Sequence, residues 1–194
     1  MISLKKVNLI LVTIFAVVGA ILIYKYTASN DNKKSSATKV SSEYTMLGED
    51  NVFKYESIDI IANTLSKGTG IVFFCIPENE WCQYYAKYLN DIAIENNIDE
   101  ISYLNIKQDR QYNSSGYRKI INTLKDYLSK DDEGQKRLFV PNVIFVKNGN
   151  IIGFNNDTNF ITNEKTPNDY YTSEKINDFN ETIKEYILKY KEEL

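Results

Sequence analysis

The 194-residue chain contains no histidine. Ser–His and Cys–His catalytic pairs are therefore excluded, together with every metal site built on imidazole. Cysteine is almost as scarce: two residues are too few for a four-cysteine zinc site, so no metal or cofactor is expected. Neither charge sign dominates. The 23 basic and 26 acidic residues leave a net charge of −3, which gives no electrostatic reason to expect nucleic-acid binding. The acidic run Asp131, Asp132 and Glu133 lacks the spacing of a calcium loop and reads as solvated charge. No internal repeat is visible. What remains, 43% hydrophobic and 25% charged residues, is ordinary for one well-buried domain with additional segments.

Residues 7–24, VNLILVTIFAVVGAILIY, carry no charge. At 1.5 Å rise per residue, about 20 apolar residues cross a hydrocarbon core of roughly 30 Å. Lys5, Lys6 and Lys25 flank the run and can reach the headgroups, with Tyr24 and Tyr26 at one interface. No small-x-small cleavage site follows, so residues 1–26 are expected to remain as a single-pass membrane anchor. Counting lysines alone would keep the remainder of the chain in the cytoplasm. A short basic start before an apolar run has the form of an export signal, however, and large domains translocate largely regardless of charge. The domain is accordingly expected outside the cytoplasm, at the cell membrane. Residues 27–50 are rich in Ser, Thr, Asn and Lys and read as a flexible tether, with the folded domain at 51–194.

The pattern then becomes regular. Val52 to Tyr55 is a short strand, and Ser57 can cap a helix with Ile58, Ile61, Ala62 and Leu65 on one face, stopped by Gly68. GIVFFC, residues 70–75, is a continuous apolar run, as expected of a strand covered on both faces. Trp81, Tyr85, Tyr88, Leu89 and Ile92 mark the inner stripe of a second helix. Ile101 to Ile106 is a strand, and Tyr117, Ile120, Ile121, Leu124 and Leu128 mark a third helix. Asn148-Gly149 is a favoured type I′ hairpin turn, so Asn142–Lys147 and Ile151–Phe154 should pair antiparallel. After a polar loop over residues 155–169, a final helix carries Ile176, Phe179, Ile183, Ile187 and Tyr190 on one face. The order β-α-β-α-β-β-α predicts an α/β fold: a mixed sheet with helices on both faces.

Both cysteines, Cys75 and Cys82, fall in the stretch GTGIVFFCIPENEWCQYY, where a buried strand passes through a turn into a helix. Together with Val140-Pro141 before NVIFV and the Asn-Gly hairpin, this stretch resembles the thioredoxin-like superfamily. More narrowly, GTGIVFF, YLNIK and VPNVIFVKNGNIIG are similar to membrane-anchored proteins of the bacteriocin transport accessory type. The resemblance covers roughly residues 50–155. It implies a thioredoxin-like fold, a cis Val140–Pro141 bond packed against the cysteine turn, and thiol–disulfide chemistry in cell redox homeostasis. This sequence departs from the family's Cys-Pro-x-Cys: aligned through Trp81-Cys82, the nucleophile position falls on Asn79, and the motif is degenerate.

Asn79 cannot attack a disulfide. Two readings stay open. In the first, Cys75 and Cys82 are a relocated catalytic pair that exchanges disulfides with an exported protein, with Pro141 shaping the groove. Their Cα atoms are expected roughly 5–9 Å apart, a range that straddles the bridging limit. In the second, the domain is redox-inactive and binds a protein partner in export or the cell envelope through Asn79, Trp81, Val140 and Pro141, the Val140 backbone pairing with an extended peptide. Trp81 can equally pack on its own domain.

Overall fold

The computed structural model describes residues 4–156 and 165–192, with side chains from residue 13 onward. Its described residues form seven helices and five strands: α1 Leu4–Glu43, β1 Phe53–Tyr55, α2 Ile58–Lys67, β2 Gly70–Cys75, α3 Glu80–Glu95, β3 Ile101–Asn105, α4 Lys107–Gln111, α5 Ser115–Leu124, β4 Asn142–Lys147, β5 Asn150–Asn155, α6 Pro167–Tyr170 and α7 Ser173–Lys191. The chain divides into two compact units, Met1–Ser36 and Ala37–Leu194.

In the first unit, Ile14, Phe15, Val17, Val18, Leu22 and Ile23 of α1 are all exposed. The run at 7–24, expected to anchor the chain, lies inside this helix, but the side chains of residues 7–12 are outside the described ones. Among the described residues, no helix is long and apolar enough to cross a membrane.

The second unit is an α/β domain built on a mixed sheet in the order β1-β3-β2-β4-β5. β3 runs parallel to both β1 and β2, while β2–β4 and β4–β5 are antiparallel. Period-two alternation along β2 sends Ile71, Phe73 and Cys75 to one face and Val72 and Phe74 to the other. The first face is covered by α3, α7 and the end of α1, through Val40, Tyr44, Leu89, Ile183 and Ile187. The second is covered by α2 and α5, through Ile61, Leu65, Ile120 and Leu124. Helices on both faces explain why β2 is apolar throughout.

Local signals act as expected at several boundaries. Ser57 accepts a hydrogen bond from the Ile60 N–H at the start of α2, and Gly68 closes its end. Asn148 and Gly149 both have positive φ, 50° and 76°, which joins β4 to β5 by the twist-compatible turn. A Cβ at Gly149 would also lie 2.5 Å from the Ser66 carbonyl oxygen, so the close approach of α2 requires glycine there.

Two expectations are revised. The segment 27–50, read as a flexible tether, is helical as far as Glu43. Its second half belongs to the domain: Ala37, Val40, Tyr44 and Leu47 are buried, and the Asn51 amide donates to the Ala37 carbonyl at 2.9 Å. Its polar composition concealed this, because only one residue in three or four of a helix needs to face the core. Trp81, expected on the inner stripe of α3, is half-buried at its rim, and Cys82, Ala86 and Ala93 take inner positions instead. Residues 157–164 of the polar loop lie outside the described residues.

Candidate functional site

β2 ends at Cys75, and the chain turns through Ile76–Asn79 into α3. The turn closes with the Asn79 N–H donating to the Ile76 carbonyl at 2.9 Å and the Cys82 N–H to the Asn79 carbonyl at 2.9 Å. This short turn brings the two cysteines together: their Cα atoms lie 5.8 Å apart and their sulfurs form a disulfide. Both residues are 0% exposed, and the Ile76 N–H donates to Cys82 Sγ at 3.2 Å. The bridge is thus sealed under the first face of the sheet.

Asn79, at the position where the family resemblance places the nucleophile, is the N-cap of α3. Its side-chain oxygen accepts from the Trp81 N–H at 2.9 Å, which satisfies an N–H that the helix itself cannot. Trp81 packs on residues around α6, with ring centroids 5.5 Å from Tyr170 and 6.3 Å from Tyr171. Glu78 pairs with Lys107, which holds its carboxyl below the usual carboxylate range; both partners are exposed, so the pair adds little stability. Gln83 ties the turn to the segment after α1. Its amide donates to the Pro77 and Glu43 carbonyls at 2.7 and 3.0 Å, and its oxygen accepts from the Thr45 N–H at 3.0 Å.

The Val140–Pro141 bond is cis, with Pro141 buried immediately before β4. Val140 and Phe139 share the wall of a cavity of about 470 Å³ with Asn79, Arg110, Asp132 and Arg137. The structure therefore brings two of the expected binding residues, Asn79 and Val140, to one groove, and places Trp81 against Tyr170 and Tyr171. Arg110 and Arg137 also line a neighbouring cavity of about 490 Å³, which contains Arg118, Lys125 and Lys136. Sequence reasoning missed these arginines. The available signal was their confinement to residues 110–137 in a chain whose other cations are lysines. Among the described residues, no three His, Cys, Asp or Glu side chains gather in a way that would hold a metal ion.

Comparison of the chain with protein-family models, with curated proteins and with solved structures returned no match.

Proposed function

We propose that this chain is a membrane-tethered, thioredoxin-like accessory module that holds a protein partner outside the cytoplasm, and that its Cys75–Cys82 disulfide braces the fold instead of exchanging with substrates. One observation carries this reading: both cysteines are bridged and 0% exposed, so no sulfur is presented to an incoming thiolate. Exchange proceeds by in-line attack on an accessible sulfur, and a buried bridge offers none. The capping role of Asn79 supports the same reading, because the residue at the nucleophile position orders the helix start.

The thioredoxin-like assignment is supported by the strand order β1-β3-β2-β4-β5, with three parallel strands followed by an antiparallel hairpin. Anchoring is supported by the uncharged run at 7–24, its lysine flanks and the exposed apolar side chains of residues 14–23. An extracytoplasmic domain is supported by the disulfide, since such bonds persist mainly in oxidising compartments.

The test is maleimide labelling of the full chain in lipid nanodiscs, with and without a glutathione redox buffer. We expect no label on the native protein in either condition, and two labels after reduction in urea. Reduction and labelling of the native protein by the glutathione buffer would return Cys75 and Cys82 to a catalytic role.

A further inference from the structure

The groove at Asn79 and Val140 continues into a cluster that contains every arginine of the chain. Arg110, Arg118 and Arg137 are the only arginines among 23 basic residues, and all three line the adjoining cavity. Arg110 is half-buried, yet among the described residues its guanidinium has no carboxylate or carbonyl partner. Burial and the nearby Arg137 both push its pKa down, as expected for a cation held without a counter-charge. Arg137 approaches a carboxylate only at 3.8 Å, from Asp131. That carboxylate is already engaged, because its Oδ1 accepts the Glu133 and Gln135 N–H groups at 3.1 and 2.9 Å. Two planar forks of donors therefore face one groove with most of their hydrogen-bonding capacity unused by the described residues.

The local charge opposes that of the whole molecule. The two cavities gather three arginines with Lys125, Lys130 and Lys136 against Asp131, Asp132 and Glu133, on a chain of net charge −3. At the Val140 end, the backbone of Phe139 and Val140 makes no hydrogen bond with the described residues, although both side chains are half-buried. Such a segment offers main-chain donors and acceptors to an added extended strand.

We infer that this groove receives an extended acidic segment of the partner protein, its backbone pairing with Phe139 and Val140 and its carboxylates received by Arg110 and Arg137. The inference rests on the binding-module reading above and specifies the partner's chemistry. Guanidinium is the group suited to bidentate capture of a carboxylate, and a partly desolvated guanidinium gains more from it than an exposed lysine does. Arg118, whose guanidinium donates to the Asn113 carbonyl, lies at the exposed end of the cluster and contributes field more than direct contact.

The test is fluorescence anisotropy on the full chain in neutral-lipid nanodiscs, with a fluorescein-labelled octapeptide of alternating Glu and Val as probe. The Gln-for-Glu and Lys-for-Glu peptides and inorganic phosphate serve as comparison probes. We expect the acidic peptide to bind at least tenfold more tightly than the Gln peptide, and the Lys peptide not to bind. Arg110→Gln and Arg137→Gln should each weaken binding at least tenfold, Arg110→Lys should weaken it less, and Lys184→Gln on α7 should leave it unchanged. Circular dichroism melting of each variant separates lost binding from lost folding, and Arg110→Lys keeps the test open should Arg110→Gln unfold. Equal binding of the acidic and Gln peptides overturns the inference, as does insensitivity to both arginine substitutions. Displacement of the peptide by inorganic phosphate at matched ionic strength, with phosphate bound as tightly, also overturns it in favour of a small-oxyanion site. These failures leave the maleimide result standing, whereas native thiol labelling would defeat the module reading whatever the peptides do.

Discussion

The two faces of the sheet are filled by different chemistry. The face under α2 and α5 is mainly aliphatic, with Ile61, Leu65, Val72, Ile120, Leu124, Ile144 and Val146 buried around two aromatic residues, Phe74 and Tyr117. The face under α3, α7 and the end of α1 holds the disulfide and the buried tyrosines Tyr44, Tyr85 and Tyr103. There, the Tyr44 hydroxyl donates to the Tyr103 hydroxyl at 2.9 Å, Tyr55 pairs with Glu43, and the Tyr85 hydroxyl donates to the Asn155 side-chain oxygen at 2.7 Å. Apolar packing is non-directional and tolerates small shifts, whereas a hydroxyl network and a covalent bridge accept one geometry. The directional face is also the one that receives the chain arriving from α1. Its bonds determine how Tyr44 and Gln83 hold that segment against the cysteine turn.

The largest effects should follow from apolar truncation. Leu124→Ala is expected to cost about 2–5 kcal/mol through lost burial and the cavity left behind. Denaturant unfolding monitored by Trp81 fluorescence should give the same loss with and without reductant, since nothing on that face is redox-sensitive. A loss that depended on the bridge would mean that the faces are coupled.

Next in size is the bridge. Replacing both cysteines by alanine should cost about 2–3 kcal/mol, the loop-closure contribution for so short a loop, with additional loss from the vacated volume. The same unfolding measurement, made on the oxidised protein and the double variant, checks it. An unchanged midpoint would mean that the bridge braces nothing.

A smaller effect belongs to the tyrosines. Tyr103→Phe removes the partner of the buried Tyr44 hydroxyl and should cost about 1–3 kcal/mol. Burial pushes Tyr44, Tyr55 and Tyr103 well above their ordinary pKa near 10. The unfolded chain releases these protons near pH 10 while the folded chain retains them. Their contribution is therefore complete below that pH, and stability falls as pH rises further. Unfolding midpoints at pH 9 and pH 11 should separate the wild type from Tyr103→Phe, with the smaller decline in the variant. Parallel declines would remove Tyr103 from the network.

The smallest effect is expected at the helix start, where Asn79→Ala should cost about 1 kcal/mol and Asn79→Asp should restore most of it. Thermal melts of the three proteins test whether Asn79 acts as a cap. A cost well above 2 kcal/mol would indicate a further role in the groove.

Much of this architecture was legible because it is encoded locally. The apolar run at 70–75, the Ser57 cap, the Gly68 stop and the Asn-Gly hairpin each reflect a backbone preference or a periodicity that a few residues carry by themselves. The helical entry was partly legible as well: Ala37, Val40 and Tyr44 recur at helical spacing inside a polar segment, a signal that composition outweighed.

Other features depend on which elements become neighbours. The spacing of Cys75 and Cys82 allowed a bridge without requiring one; it took the turn at Ile76–Asn79 to direct both sulfurs to the same face. Arg110, Asn79 and the segment carrying Arg137 and Val140 are far apart in the chain and meet only because β2 lies between β3 and β4. The sequence by itself determined the five strands, their order along the chain and most of the helices between them, and excluded histidine chemistry and a four-cysteine zinc site, because these follow from local sterics and residue inventory. The tertiary structure decided that the cysteines are sealed and the arginines open to a groove, because burial and pairing are set by long-range packing that no local window contains.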